Sequence, residues 1–144
     1  RYNIIYGTTS TGGHIANFFA KLKAAGYRIV LILCSCPDSL RYEAVDYRNR
    51  SIRFYQSSPE DALEKGKLFP QRMSIYFSYA DQMYLYWSDS LFGVERLAGI
   101  WCRKRLEIVD RDAMQNFIEK YEADRVSLKS MGVSIPSFDT FLLE

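Results

Sequence analysis

YNIIYGTTSTGGHIANFFAKLKAAGYRIVLILCSCP, residues Tyr2 to Pro37, opens with a short apolar run, Tyr2 to Tyr6, rich in β-branched and aromatic residues. A polar, glycine-containing connection follows, Gly7 to Gly13. From His14 the period changes: Ile15, Phe18, Phe19 and Leu22 fall at i, i+3, i+4 and i+7, one face of a helix. Gly26 stands where a helix C-terminus takes a left-handed residue. Ile29 to Leu33 is then continuously apolar, as expected of a strand covered on both faces. Strand, helix and strand with short connections predict a βαβ unit, with parallel strands and a right-handed crossover.

In an open parallel sheet, ligands lie beyond the carboxyl ends of the strands. Here those ends are Tyr6 to Thr11 and Cys34 to Asp38, both small and polar. The first is open to two readings. Its hydroxyls and amide N–H groups surround an anion, or Thr11 caps the next helix while Gly12 and Gly13 turn the chain.

At 144 residues with 48% hydrophobic content, the chain suits one domain with a real core. Its net charge of +2 supplies no global field that would draw nucleic acid or a membrane. Three cysteines, Cys34, Cys36 and Cys102, make an odd set without framework spacing, which favours a reduced, cytoplasmic protein. With one histidine and no second cysteine pair, no four-ligand zinc site is expected. The sequence opens on Arg1 with no leader before the first predicted strand, so a piece of a longer chain is expected.

Beyond the second strand, Pro37 and Asp38 suit a helix start. Leu40 to Tyr55 continues it, with Arg41, Val45, Arg48 and Ile52 along one stripe. Such a stripe is a solvated face paired with Glu43 and Asp46, or a set of cations aimed at a ligand. Ser58 as N-cap and Pro59 at the first helical position predict a new, short helix that Gly66 ends. Pro70 to Trp87 is crowded with aromatics and predicts a core helix, with a partner surface as the other reading. Val94 to Trp101 is helical or irregular. Arg105 to Val109 reads as a strand ending at Asp110, whose tip would join the same crevice if parallel. Met114, Phe117, Ile118 and Tyr121 then mark a helix from Ala113 to about Leu128. Residues 1–130 are read as the domain and residues 131–144 as a strap or a tail that meets a partner.

The order of these features resembles the zeta toxin family, P-loop kinases related to bacterial UDP-N-acetylglucosamine kinases. The likeness covers Tyr2 to Asp112. It rests on Gly7-Thr8 after a strand, Lys23-Ala24-Ala25-Gly26-Tyr27 closing a helix, and Cys36-Pro37 ending an apolar strand. Arg41-Tyr42-Glu43 and the late Asp110-Arg111 complete it. The resemblance implies an α/β, P-loop kinase-like fold, a parallel sheet with flanking helices, of which this is the C-terminal part. It also implies phosphotransfer from ATP, with Mg²⁺, to a sugar hydroxyl of a nucleotide sugar such as UDP-N-acetylglucosamine.

Carried over by position, Gly7 and Thr8 contact the acceptor, with Thr9 and Thr11 beside them, and Arg41 and Arg53 act as catalytic arginines facing the ATP phosphates. Arg48 and Arg50 are neighbouring phosphate contacts. Where the family has a glutamate before Gly-Thr, this chain has Tyr6. No G-x-x-x-x-G-K-[ST] loop occurs in the sequence, so that loop is expected from other residues or another polypeptide. An antitoxin-like inhibitor is a further implied partner. The contrasting reading is a protein-interaction module that keeps the fold without the chemistry, docking through the aromatic segment and the tail. His14 is read as a solvent-facing or capping residue beside the crevice.

Overall fold

The computed structural model describes residues 3–51 and 57–142. Four helices, α1 (Ile15–Ala24), α2 (Asp38–Ser51), α3 (Pro59–Tyr79) and α4 (Arg111–Ser130), accompany a mixed sheet. Its strands are β1 (Val30–Ser35), β2 (Gln82–Trp87), β3 (Arg96–Cys102) and β4 (Arg105–Ile108), in the order β1-β2-β3-β4. β1 and β2 are parallel, while β3 is antiparallel to both of its neighbours. β4 therefore runs in the same direction as β1 and β2, and its carboxyl end lies at their end of the sheet, with β3 between.

The expected βαβ unit does not form at the N-terminus. Tyr2 lies outside the described residues, and residues 3–10 belong to no strand, with Ile4, Ile5 and Tyr6 exposed. A β-branched run becomes a strand only when a neighbour takes its N–H and C=O groups. Here a groove of about 740 Å³ separates residues 4–10 from Val30–Cys34. The parallel partner of β1 is instead β2, reached through α2 and α3. The segment before α1 is held from beneath: Tyr76 donates to the Ser10 carbonyl at 2.9 Å and Arg72 Nε to the Thr11 carbonyl at 3.1 Å.

Local signals hold well elsewhere. Ile15 and Phe19 are buried, Phe18 and Leu22 pack beside them, and Gly26 takes φ +76° after α1. The Ser58 hydroxyl accepts from the Asp61 N–H at 2.9 Å with Pro59 behind it. Gly66, however, does not end that helix. α3 runs through Gly66 and the buried Pro70 to Tyr79, a case of tertiary burial overriding two helix breakers.

Nor is Pro70 to Trp87 one helix. It divides at Ala80-Asp81, and β2 shows a two-residue burial period, with Met83, Leu85 and Trp87 inward. Asp81 secures the division, accepting from Lys23 Nζ at 2.6 Å and from the Ile29 N–H at 2.7 Å. Val94 to Trp101, expected to be helical or irregular, instead contributes most of strand β3, paired with β2 and β4 on its two sides.

The core lies on one face of the sheet. Leu33, Met83, Leu85 and Trp101 meet Phe19 of α1, Met73 and Tyr76 of α3, and Met114, Phe117 and Tyr121 of α4. The expectation that β1 is covered on both faces fails: Val30 and Ile32 are exposed, the latter 68%. A continuous apolar run does not say which side a neighbour will cover. The last described stretch is a strap over the core. Phe138 is fully buried, its N–H donates to Glu122 Oε1 at 2.7 Å, and Tyr121 donates to the Pro136 carbonyl at 2.8 Å.

Candidate functional site: a cationic cleft between α2 and α3

Two helix faces meet across this cleft. On α2, Arg41, Val45 and Arg48 are spaced i, i+4 and i+7, the stripe seen in the sequence, and Ile52 lies outside the described residues. On α3, Ala62, Lys65, Gly66 and Phe69 are spaced i, i+3, i+4 and i+7. With Thr9, Thr11, Cys34 and Ser57 they enclose about 330 Å³. Three cations and three hydroxyls line that volume, and no carboxylate does.

Arg41 is the best placed of the cations. Its side chain is largely covered, and Nη1 lies 3.3 Å from Asp38 Oδ1. A Cβ added at Gly66 would stand 1.6 Å from the same Nη1, so the guanidinium crosses α3 where the helix has no side chain. Asp38 is also held by Lys120 at 3.2 Å, and Lys120 meets Asp124 at 2.5 Å. Asp38 is thus shared between two cations, which leaves Arg41 able to take up other oxygens. Among the described residues Arg48 reaches only a distant Ser57 hydroxyl at 3.5 Å.

The other sequence-derived residues are distributed unevenly. Thr9 and Thr11 line the Arg41 cleft, with Thr11 buried and its hydroxyl donating to Thr9 Oγ1 at 3.2 Å. Gly7 and Thr8 line the adjoining groove against β1, and the Thr8 hydroxyl accepts from the Ser10 N–H at 3.1 Å. Groove and cleft share Thr9, Cys34 and Phe69 as their common wall. Arg50 is exposed and ion-paired with Asp46. Arg53 lies outside the described residues. Thr11 does not cap α1; the N-cap is the exposed His14, which makes no side-chain cap bond.

Lys65 was not singled out in the sequence and Gly66 was read only as a helix end, although their spacing with Ala62 and Phe69 was a usable signal. At the neighbouring strand ends, Arg96 is neutralised by Asp89 at 3.1 Å and Asp110 at 3.4 Å. Asp110 also caps α4 through the Ala113 N–H at 3.0 Å.

The two thiols here are not poised as nucleophiles. Burial pushes the Cys34 thiol up, with Glu95 and Cys36 adding to it. Burial likewise pushes Cys36 up, and Arg41 only partly opposes this. The lining of cations and hydroxyls suits an anion. Among the described residues no group of three or more His, Cys, Asp or Glu gathers to hold a metal ion. No described helix is long and apolar enough to cross a membrane. Comparison with protein-family models, with curated proteins and with solved structures finds no match for this chain.

Proposed function

We propose that this chain forms the phosphate-facing and acceptor-facing walls of a phosphotransfer site. The reaction implied by the zeta toxin resemblance is transfer of the ATP γ-phosphoryl group to a sugar hydroxyl of a nucleotide sugar. The observation that supports it is the carboxylate-free cleft in which Arg41, Arg48 and Lys65 stand opposite Thr9 and Thr11. A phosphoryl group in transfer spreads negative charge over its oxygens, and a planar guanidinium holds two of them at once.

In this reading Arg41 and Arg48 orient and neutralise those oxygens, and Lys65 adds a point charge. Thr9 and Thr11 hydrogen-bond the acceptor, with Gly7 and Thr8 in the adjoining groove. No described residue of the cleft is placed as a base for the acceptor proton; in this reading that group and the phosphate-binding loop are supplied by other residues or another polypeptide.

The test is a phosphotransfer assay of the full-length protein with ATP over a panel of nucleotide sugars. Arg41→Ala is expected to lower turnover on the order of a thousand-fold, as loss of an arginine finger does, with the melting temperature nearly unchanged. Equal turnover in the variant would remove Arg41 from the site, and no transfer to any acceptor would defeat the kinase reading.

One observation favours a second reading, a non-catalytic interaction module. β1 is an edge strand, and the groove of about 740 Å³ beside it has residues 4–10, which belong to no strand, as its far wall. Such an edge accepts a strand from another polypeptide. A partner whose binding protects the β1 amides from hydrogen exchange, without any phosphotransfer, would favour this reading over the first.

A further inference from the structure

The sheet end opposite the Arg41 cleft carries a second set of cations. Arg103-Lys104 is the two-residue turn that joins β3 to β4, with Cys102 paired to Arg105. Both turn residues adopt left-handed backbone angles, φ +52° and +63°. That is a type I′ hairpin, which Asn-Gly or Asp-Gly fills most readily because a larger side chain is crowded there. Two long cationic residues are an expensive choice for such a turn. Strained backbone of this kind concentrates at ligand sites, where its geometry serves binding.

Here the turn places Arg103 and Lys104 with Arg105, Arg28 and Lys23 around one cleft of about 1030 Å³. Its single carboxylate, Asp81, is already engaged by Lys23 and the Ile29 N–H. Arg28 donates to Gln82 Oε1 at 2.6 Å and keeps its charge. Arg103, Lys104 and Arg105 have no side-chain partner among the described residues. Five cations against one carboxylate give a local excess of four, on a chain whose whole excess is two. Like charges lining one cleft repel one another until an anion arrives.

Trp101 forms a wall of the same cleft. It is 6% exposed and meets Phe77, another residue of the cleft wall, edge to face. A single phosphate or carboxylate would leave most of these cations unused. Adjoining phosphates match both their number and the forked geometry of arginine.

We propose that this cleft binds a compact polyphosphate, a small molecule carrying two or more adjoining phosphate groups, at a site separate from the Arg41 cleft. The experiment is calorimetric titration of the full chain with inorganic triphosphate at physiological ionic strength. It is made in an Arg41→Ala/Lys65→Ala background so that only this cleft responds. Saturable one-site binding is expected, with orthophosphate weaker by about tenfold or more, as loss of charge-assisted hydrogen bonds implies.

Arg103→Asn/Lys104→Gly is expected to raise the melting temperature while weakening triphosphate binding by about tenfold or more. Arg105→Gln, which leaves the turn intact, should weaken it in the same direction. Unchanged affinity in either variant, equal affinity for orthophosphate, or loss of all binding in the Arg41→Ala/Lys65→Ala background would overturn the proposal. So would displacement of triphosphate by far lower concentrations of single-stranded oligonucleotide or phosphoinositide vesicles, which would reassign the surface to a polymer or a membrane.

Discussion

Gly66→Ala separates the two contributions of the α2–α3 contact, helix stability and the placement of Arg41. Gly66 lies inside α3 and is not among the positive-φ glycines, so alanine fits its backbone. Replacing an interior helical glycine by alanine contributes about 0.8–1 kcal/mol. The new Cβ would stand 1.6 Å from Arg41 Nη1 and 2.7 Å from its Cζ. Those atoms are the far end of a flexible side chain, so the guanidinium moves and the helices do not.

Moving it gives up the 3.3 Å pairing with Asp38, a carboxylate more than half exposed, at a cost of about 0.3–0.5 kcal/mol. The net gain is about half a kcal/mol, or about 1–4 °C in melting temperature for a chain of this size. Anion binding in the cleft changes in the opposite direction. Loss of one charge-assisted contact, about 1.5–3 kcal/mol, weakens it about tenfold to a hundredfold. The assay is thermal melting together with pyrophosphate titration, in the Arg103→Asn/Lys104→Gly background so that the other cleft contributes less. A higher melting temperature with unchanged affinity would refute the role given to Arg41. A melting temperature lower by several degrees would refute the claim that its guanidinium yields.

Two further outcomes test the frame around the sites. Phe138→Ala empties a fully buried position under the strap and is expected to cost about 3–5 kcal/mol, read as a lower urea midpoint; a loss below about 1 kcal/mol would mean that the strap is not part of the core. For Asp81, burial pushes the carboxyl up, but the Lys23 and Ile29 hydrogen bonds outweigh it and hold it below its ordinary value. A carboxylate depressed in the folded state contributes stability that is present above its unfolded value and lost as pH falls through the folded one. The stability difference between wild type and Asp81→Asn should therefore stay constant from neutral pH to about pH 4 and shrink in stronger acid. A difference that vanished already in the mildly acidic range would contradict the assigned hydrogen bonds.

Much of the local structure was legible in the residues. The apolar spacing of α1, the left-handed Gly26, the Ser58 cap, the Phe117–Tyr121 face of α4 and the Arg41-Val45-Arg48 stripe all depend on neighbours a few positions away. Contacts of that range are written directly in the spacing of side chains.

What the chain alone left undecided is pairing at a distance. Asn3 to Tyr6 and Gln82 to Trp87 both carry β-forming residues, yet of these only the second adds to β1, because a strand exists through hydrogen bonds to a partner and not through composition. Burial of Pro70 carried α3 past two breakers, and the same folding brought Lys65 and Gly66 opposite Arg41. Side-chain period along one helix foretells which residues share a face. Only the packing of α2 on α3 decided that two such faces, seventeen or more residues apart in places, would enclose one cationic cleft.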